Sequence, residues 1–292
     1  MPKKVYIAGA GGMLGSDVYK LFSSTCEVRA SDIDVNEDWL VYGDVRHKEA
    51  IYKDIKTFNP DLIINLAALT DLEECEEKEE TAHSTNYMGA RNLGDIAQGL
   101  DVPYIYISTA GIFDGTKELY TEDDIPHPTS VYAVTKYKGE CYVLDNIPKA
   151  YVFRAGWMMG GGKKDKKFIG KILKQIKEGA TELFAVADKQ GTPTYTLDFA
   201  ECMYSVLKTN TPYGLYNMVC GGRVSRLDVA KAIVDELGLN IPVIEVSSNY
   251  FSEDYFAPRP ACEAMENTKL NALGKNTMRD WKICLKDYLD EK

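Results

Sequence analysis

Val5-Tyr6-Ile7-Ala8-Gly9-Ala10-Gly11-Gly12-Met13-Leu14-Gly15 compresses an apolar strand, a glycine-rich turn and the start of an amphipathic run into one stretch. Glycines fall at Gly9, Gly12 and Gly15. A backbone that turns tightly and lets a diphosphate approach must lack β-carbons at its contact points. The helix expected over 13–23 then aims its first amides, with Met13 and Leu14 in the turn, and the positive end of its dipole at that diphosphate. A second strand, starting at Glu27, ends on Asp32, seventeen residues beyond Gly15. A carboxylate there accepts hydrogen bonds from ribose hydroxyls and repels a 2′-phosphate, so the stretch favours NAD(H), with NADP(H) left open.

Outward from this unit, apolar β-rich runs lie at 4–8, 27–32, 39–43, 62–67, 103–108 and 150–155. Helical patterns alternate with them at about 13–23, 47–57, 81–99 and 131–145. Strands separated by helices of this length imply right-handed crossovers. The expected fold is α/β, a Rossmann-type doubly wound parallel sheet. After residue 156 the rhythm breaks into the glycine run Gly160-Gly161-Gly162, a basic run from Lys163 to Lys167, and a mixture of short strands and helices. The expected division is a dinucleotide-binding domain at 1–155 plus about 194–221, with 156–193 and 222–292 forming a smaller α+β substrate-binding cap. The basic run is expected to be a solvated loop.

Composition narrows the function. Hydrophobic residues make up 45% of the 292, normal for a globular chain. A net charge of −10 argues against nucleic acid or anionic membrane as partner. The apolar runs are strand-sized, and the N-terminus has no signal-peptide pattern. Seven cysteines without a Cys-x-x-Cys pair read as reduced thiols, so a cytoplasmic location is expected. His47, His83 and His127 do not pair at ligand spacing, so no metal is expected.

Tyr132 and Lys136 stand four residues apart on one helix face. A neighbouring ammonium favours the phenolate, so the pair is expected to lower the tyrosine pKa and exchange a proton with a carbonyl or alcohol. The same spacing recurs at Tyr52/Lys56, Tyr204/Lys208 and Tyr288/Lys292, so position has to select among them. Only Tyr132 follows, by about two dozen residues, a buried strand that ends in hydroxyls, Ser108-Thr109. Thr109 or Ser108 is then placed to hold a substrate carbonyl while Tyr132 protonates it.

Together these elements resemble the extended short-chain dehydrogenase/reductase superfamily, and within it the dTDP-4-dehydrorhamnose reductases. The resemblance spans nearly the whole chain. It includes the Gly9–Gly15 turn, Gly43-Asp44-Val45, Asn65-Leu66-Ala67-Ala68, Asn86, Ser108-Thr109, Tyr132 to Lys136, Arg154, Trp157 and Arg259-Pro260. It implies reduction of the C4 ketone of a nucleotide-linked 6-deoxy-4-keto-hexose, with Thr109, Tyr132 and Lys136 as the catalytic set. It implies that Asp44 and Val45 approach the adenine, that Leu66, Ala67 and Ala68 lie beside the cofactor, that Lys136 holds the nicotinamide ribose, and that Thr70, Ser108 and Arg259 stand on the substrate side. The family usually carries Asp-Tyr after the catalytic hydroxyl and Thr-x-Val-Asp after the fourth strand; here stand Ala110-Gly111 and Thr70-Asp71-Leu72-Glu73. These departures put the sugar's identity in question and leave the hydride-transfer residues intact. Ala110-Gly111 cannot perform the acid-assisted elimination of the related dehydratases. The alternatives are a C4 sugar-nucleotide epimerase that uses NAD as a bound redox shuttle, and a non-catalytic NAD(P)-binding regulatory subunit; epimerisation of other ring carbons needs an extra base, for which His127 and Cys75 are not obviously placed. Tyr137, Cys141 and Leu144 share a face suited either to a homodimer or to the core.

Overall fold

The computed structural model describes residues 2–291. Seven parallel strands form the central sheet: β1 (Lys4–Ala8), β2 (Glu27–Asp32), β3 (Leu40–Tyr42), β4 (Leu62–Asn65), β5 (Tyr104–Thr109), β6 (Ala150–Ala155) and a last strand at Gly214–Asn217. Their spatial order is β3-β2-β1-β4-β5-β6 and then Gly214–Asn217. The order reverses between β1 and β4, the switch point outside which open α/β sheets bind ligands. β1 pairs with β4 from Val5↔Leu62 to Ala8↔Asn65, so the glycine turn and the Leu66–Ala68 segment leave the sheet side by side.

The strands read as continuous apolar runs because both sheet faces are covered. One cluster packs Val5, Ile7, Ile105 and Phe153 against helices Gly15–Ser23 and Thr196–Lys208. The other packs Tyr6, Ile63, Tyr104 and Tyr106 against Lys48–Phe58, Gly89–Gly99 and Val131–Asn146. Buried phenols need partners. Tyr104 donates to the Ala90 carbonyl (3.0 Å) and Tyr106 to the Lys136 carbonyl (3.1 Å), tying β5 to two helices.

The helix expected over 81–99 is not uniform. Helical structure begins at Glu79, passes through a π turn at His83–Met88 and resumes at Gly89. A π turn adds one residue to the ladder and has no signature in apolar spacing. A separate helix at Leu72–Glu77, capped by Asp71 accepting from the Glu74 amide, lies within the segment that departs from the family pattern.

Beyond β6 three small two-stranded pairings stand outside the central sheet: Trp157–Met159 with Pro193–Tyr195, Gln190–Gly191 with Val224–Ser225, and Leu183–Val186 with Val243–Val246. Tyr137 leans inward on the Ile112, Phe113 and Tyr120 cluster, whereas Leu144 remains exposed. Among the described residues no helix is long and apolar enough to cross a membrane.

Candidate active site

The three turn glycines serve different purposes. Gly9 has φ +77°, and a β-carbon there would stand 2.2 Å from the Ala67 amide nitrogen. Gly15 packs so closely that its β-carbon would meet the Ala10 carbonyl oxygen at 2.0 Å. Gly12 alone faces open space, its nearest neighbour being the Gly9 carbonyl oxygen at 3.8 Å. At the N-cap of the helix from Gly15, Leu14 makes no side-chain cap bond, and no side chain among the described residues accepts from the Gly15, Ser16 or Asp17 amide. An open glycine beside uncapped amides at the switch point fits a dinucleotide diphosphate.

Asp32 ends β2 beside this turn. Its Oδ2 accepts from the Gly11 amide at 2.8 Å and its Oδ1 from the Asp34 amide at 2.9 Å. The carboxylate is thereby fixed, with acceptor capacity left over for a ribose hydroxyl. Asp44 is buried, and Arg46 grips it through Nε and Nη2 at 2.6–3.0 Å. That guanidinium holds the Asp44 carboxyl below its usual range. Val45 packs into the core against the place where Gly89 lacks a β-carbon.

The Leu66–Thr70 segment is pinned from both ends. Asn65 accepts from the Ala67 amide at 3.0 Å. Asn86, aimed by the π turn, accepts from the Leu69 amide (2.8 Å) and donates to the Leu69 carbonyl (3.1 Å) and to Thr135.

Ser130 caps the helix that carries Tyr132 and Lys136, accepting from the Ala133 amide at 3.2 Å. Thr109 ends β5 within hydrogen-bonding reach of the Tyr132 phenol. Strand alternation turns Ser108 to the opposite face, where its buried hydroxyl has no partner among the described residues. Lys136 is 3% exposed. Its Nζ donates to the Ile107 carbonyl at 2.5 Å and lies 4.3 Å from the Tyr106 ring centre. Glu140, one turn on, is held by Arg154 through contacts at 2.5 and 3.1 Å.

The expected lowering of the Tyr132 pKa does not occur. Burial dominates and pushes the phenol up to about 12, against a downward pull from Thr109. Burial likewise brings the Lys136 ammonium down to about 7, opposed by Glu140. The ammonium is directed at a carbonyl rather than at the phenol, so desolvation outweighs the pair's attraction. A neutral phenol beside a hydroxyl is a proton donor, which suits reduction of a carbonyl. Tyr52 and Lys56 form a surface pair, and Tyr288 is bonded to Asp165 at 2.9 Å, with Lys292 outside the described residues.

On the opposite wall the basic run is not a solvated loop throughout. Lys163 and Lys166 are exposed. Lys164 reaches Glu37 at 3.1 Å, and Lys167 donates to the Thr70 carbonyl and hydroxyl at 3.0 and 3.2 Å. Burial lowers the Lys167 pKa. The three glycines ahead of them adopt positive φ, and a β-carbon on Gly161 would strike Met13, so this loop folds down onto the dinucleotide turn. Arg259 is clamped by both Glu73 oxygens at 2.7 and 2.9 Å. Burial raises the Glu73 carboxyl, but the Arg259 fork more than offsets it and leaves it lowered. Arg226 lies 3.6 Å from the Trp157 ring centre, and its field reaches Lys167 and Arg259. Lys171, which Lys167 also feels, donates to Tyr255 at 2.8 Å.

A family model described as the RmlD substrate binding domain matches residues 3–292. The chain belongs to the RmlD substrate-binding-domain family. It is 30% identical to a dTDP-4-dehydrorhamnose reductase of Aggregatibacter actinomycetemcomitans, covering 97% of each chain. It is 27% identical to the spore coat polysaccharide biosynthesis protein SpsK of Bacillus subtilis, over 99% of this chain and 98% of that one. Among solved structures, a dTDP-4-dehydrorhamnose reductase from Clostridium acetobutylicum matches with a TM-score of 0.89 at 31% identity, covering 99% of both chains. The Bacillus anthracis dTDP-4-dehydrorhamnose reductase in complex with NADP matches at 0.91 and 28% identity over the full length of both.

For this RmlD-family chain, sequence reasoning missed Arg226, Lys171 and Glu263 on the cap side. Lys171 lies in the helix Phe168–Lys177 and Arg226 opens the helix Arg226–Glu236, each far along the chain from Tyr132, and no local periodicity marks contacts of that range. The alternative bases fare poorly: His127 is exposed, and burial pushes the Cys75 thiol up to about 12.

Proposed function

We propose that this chain is a dTDP-4-dehydrorhamnose reductase. It reduces the C4 ketone of a nucleotide-linked 6-deoxy-4-keto-hexose with NAD(P)H in dTDP-L-rhamnose biosynthesis. The observation that carries this reading is Thr109 against a neutral Tyr132, with Lys136 one turn away, at the C-terminal edge of the same parallel sheet as the open-glycine turn. Family membership and the names of its relatives support the substrate class.

Gly12, the uncapped helix start and Asp32 would hold the dinucleotide, with Lys136 at its nicotinamide ribose and Leu66 to Ala68 beside it. When bound, the nicotinamide supplies a hydride to the carbonyl carbon. Thr109 donates a hydrogen bond to the carbonyl oxygen and fixes its position. Tyr132 gives its proton to that oxygen as negative charge develops there. The resting phenol, raised to about 12, is in the protonated form this step needs. Lys167, Lys171, Arg226 and the Glu73-paired Arg259 bring positive charge to this side of the site, as an anionic sugar nucleotide requires. Asp32 favours NADH over NADPH. The enzyme is a soluble cytoplasmic protein, and the exposed Leu144 end of the Tyr132 helix is its homodimer face.

The test is oxidation of NADH and of NADPH by the purified protein with dTDP-4-keto-6-deoxy-L-mannose made in situ. The expected outcome is rapid oxidation with a preference for NADH. Preference for NADPH overturns the role of Asp32 alone. Cofactor binding without oxidation returns the regulatory-subunit reading.

A further inference from the structure

Gly111 leaves a gap in the wall of the catalytic corner. A β-carbon placed there would stand 3.5 Å from Thr109 Oγ1, 3.6 Å from Glu263 Oε2 and 3.9 Å from Tyr132 Cε1. The catalytic hydroxyl, the phenol ring and a cap carboxylate therefore converge on one small open space. Glu263 is held there by design of its surroundings. Its Oε1 accepts from the Trp157 indole N–H. Arg226 lies on the same indole. Burial raises the Glu263 pKa, while the Trp157 bond and the charges of Arg226, Arg259 and Lys189 pull it down. Its Oε2 accepts no hydrogen bond from any described residue, and it is the oxygen nearer the gap.

Glu263 Oε2 thus keeps acceptor capacity open toward the gap, which a hydroxyl of a bound ligand can use. Under the reductase reading, on which this inference rests, Thr109 and Tyr132 hold the C4 oxygen. Glu263 then stands one substituent away, beside a ring neighbour of C4. In a 6-deoxy-4-keto-hexose, C5 carries only a methyl group, whereas C3 carries a hydroxyl. We propose that Glu263 Oε2 accepts a hydrogen bond from the C3 hydroxyl and so determines specificity for 3-hydroxy over 3-deoxy 4-keto sugar nucleotides. Gly111 is part of the device, because a side chain there would fill the space between Glu263 and the sugar.

The experiment compares kcat/KM for matched 3-hydroxy and 3-deoxy 4-keto-6-deoxy sugar nucleotides in the parent, Glu263→Ala and Glu263→Gln. The parent is expected to favour the hydroxylated substrate by about a hundredfold or more, as a site built to bond a hydroxyl does. Glu263→Ala should reduce that ratio to within about fivefold, and Glu263→Gln, which keeps an acceptor and the side-chain volume, should retain an intermediate ratio. Cofactor affinity within about twofold of the parent checks that each variant is folded. If Glu263→Ala slows both substrates equally, Glu263 only props up Trp157 and the proposal is overturned. An unchanged ratio in Glu263→Ala also overturns it. A parent that reduces neither substrate removes the reductase reading and this inference with it, whereas a parent that reduces both equally removes this inference alone.

Discussion

At the scale of single residues, the decisive balance is burial against charge. Tyr132 is protonated at rest because desolvation outweighs everything else acting on it. Tyr132→Phe therefore removes the proton donor and little else. Turnover should fall about 10²- to 10⁴-fold while NADH affinity changes less than about twofold; a parental rate in steady-state assays would remove Tyr132 from the mechanism. Lys136 gives a pH prediction. Its folded value, about 7, lies below its ordinary 10.5, so between these values the unfolded chain binds more protons than the folded one. Stability from this group therefore rises with pH across that window, and the full cost of the buried ammonium is felt below it. In cofactor-free protein, Lys136→Met relieves that cost. Urea midpoints should show the variant gaining on the parent most at pH 6.5, with the gap closing toward pH 10. A gap that does not vary with pH overturns the burial argument. The Tyr-x-x-x-Lys spacing singled out the pair but led to the wrong direction for the Tyr132 pKa, because spacing carries no information about how much water a helix face loses.

The glycine turn behaves as an element whose parts can be separated by mutation. Gly15→Ala drives a β-carbon into the Ala10 carbonyl and should destabilise the fold by about 3 kcal/mol or more, since backbone cannot step aside cheaply. Gly12→Ala meets nothing closer than 3.8 Å. It should leave thermal stability within about 0.5 kcal/mol of the parent and weaken NADH binding about tenfold or more by fluorescence titration. Equal stability losses in both variants would mean that Gly12 is structural too. This element, the strands beside it and the helix that carries Tyr132 could be read from sequence because each is encoded locally, by apolar runs and punctuating glycines. The π turn that aims Asn86 at Leu69 could not, since it differs from an α-helix by one inserted residue with no change in composition. The cap-side residues were hidden for another reason. Glu73 reaches Arg259, and Trp157 reaches Glu263, across more than a hundred residues of chain. The family resemblance suggested a substrate-side role for Arg259, but its grip by Glu73 emerges only in the folded chain.

For the whole molecule, the −10 net charge and the cationic site oppose each other toward an anionic sugar nucleotide. On the proposed reading, Lys167, Lys171, Arg226 and Arg259 would act on the ligand locally, whereas the excess carboxylates are spread over a body with a radius of gyration of about 19 Å. Screening separates the two. At about 0.01 M salt the Debye length is near 30 Å and both terms operate, so global repulsion offsets local attraction. At about 0.1 M it is near 10 Å, which removes the distant repulsion and spares much of the attraction. At about 1 M, near 3 Å, the attraction fades as well. The specificity constant should therefore pass through a maximum as ionic strength rises, rather than falling steadily as simple steering toward a basic protein would require. Removing two of the local charges, in a Lys167→Met and Lys171→Met double variant, should abolish the falling limb and leave a monotonic rise. Initial rates at subsaturating substrate across this salt range make the test. A steady fall in the parent would mean that the cluster acts alone, and a profile unchanged in the double variant would place the attraction elsewhere on the molecule.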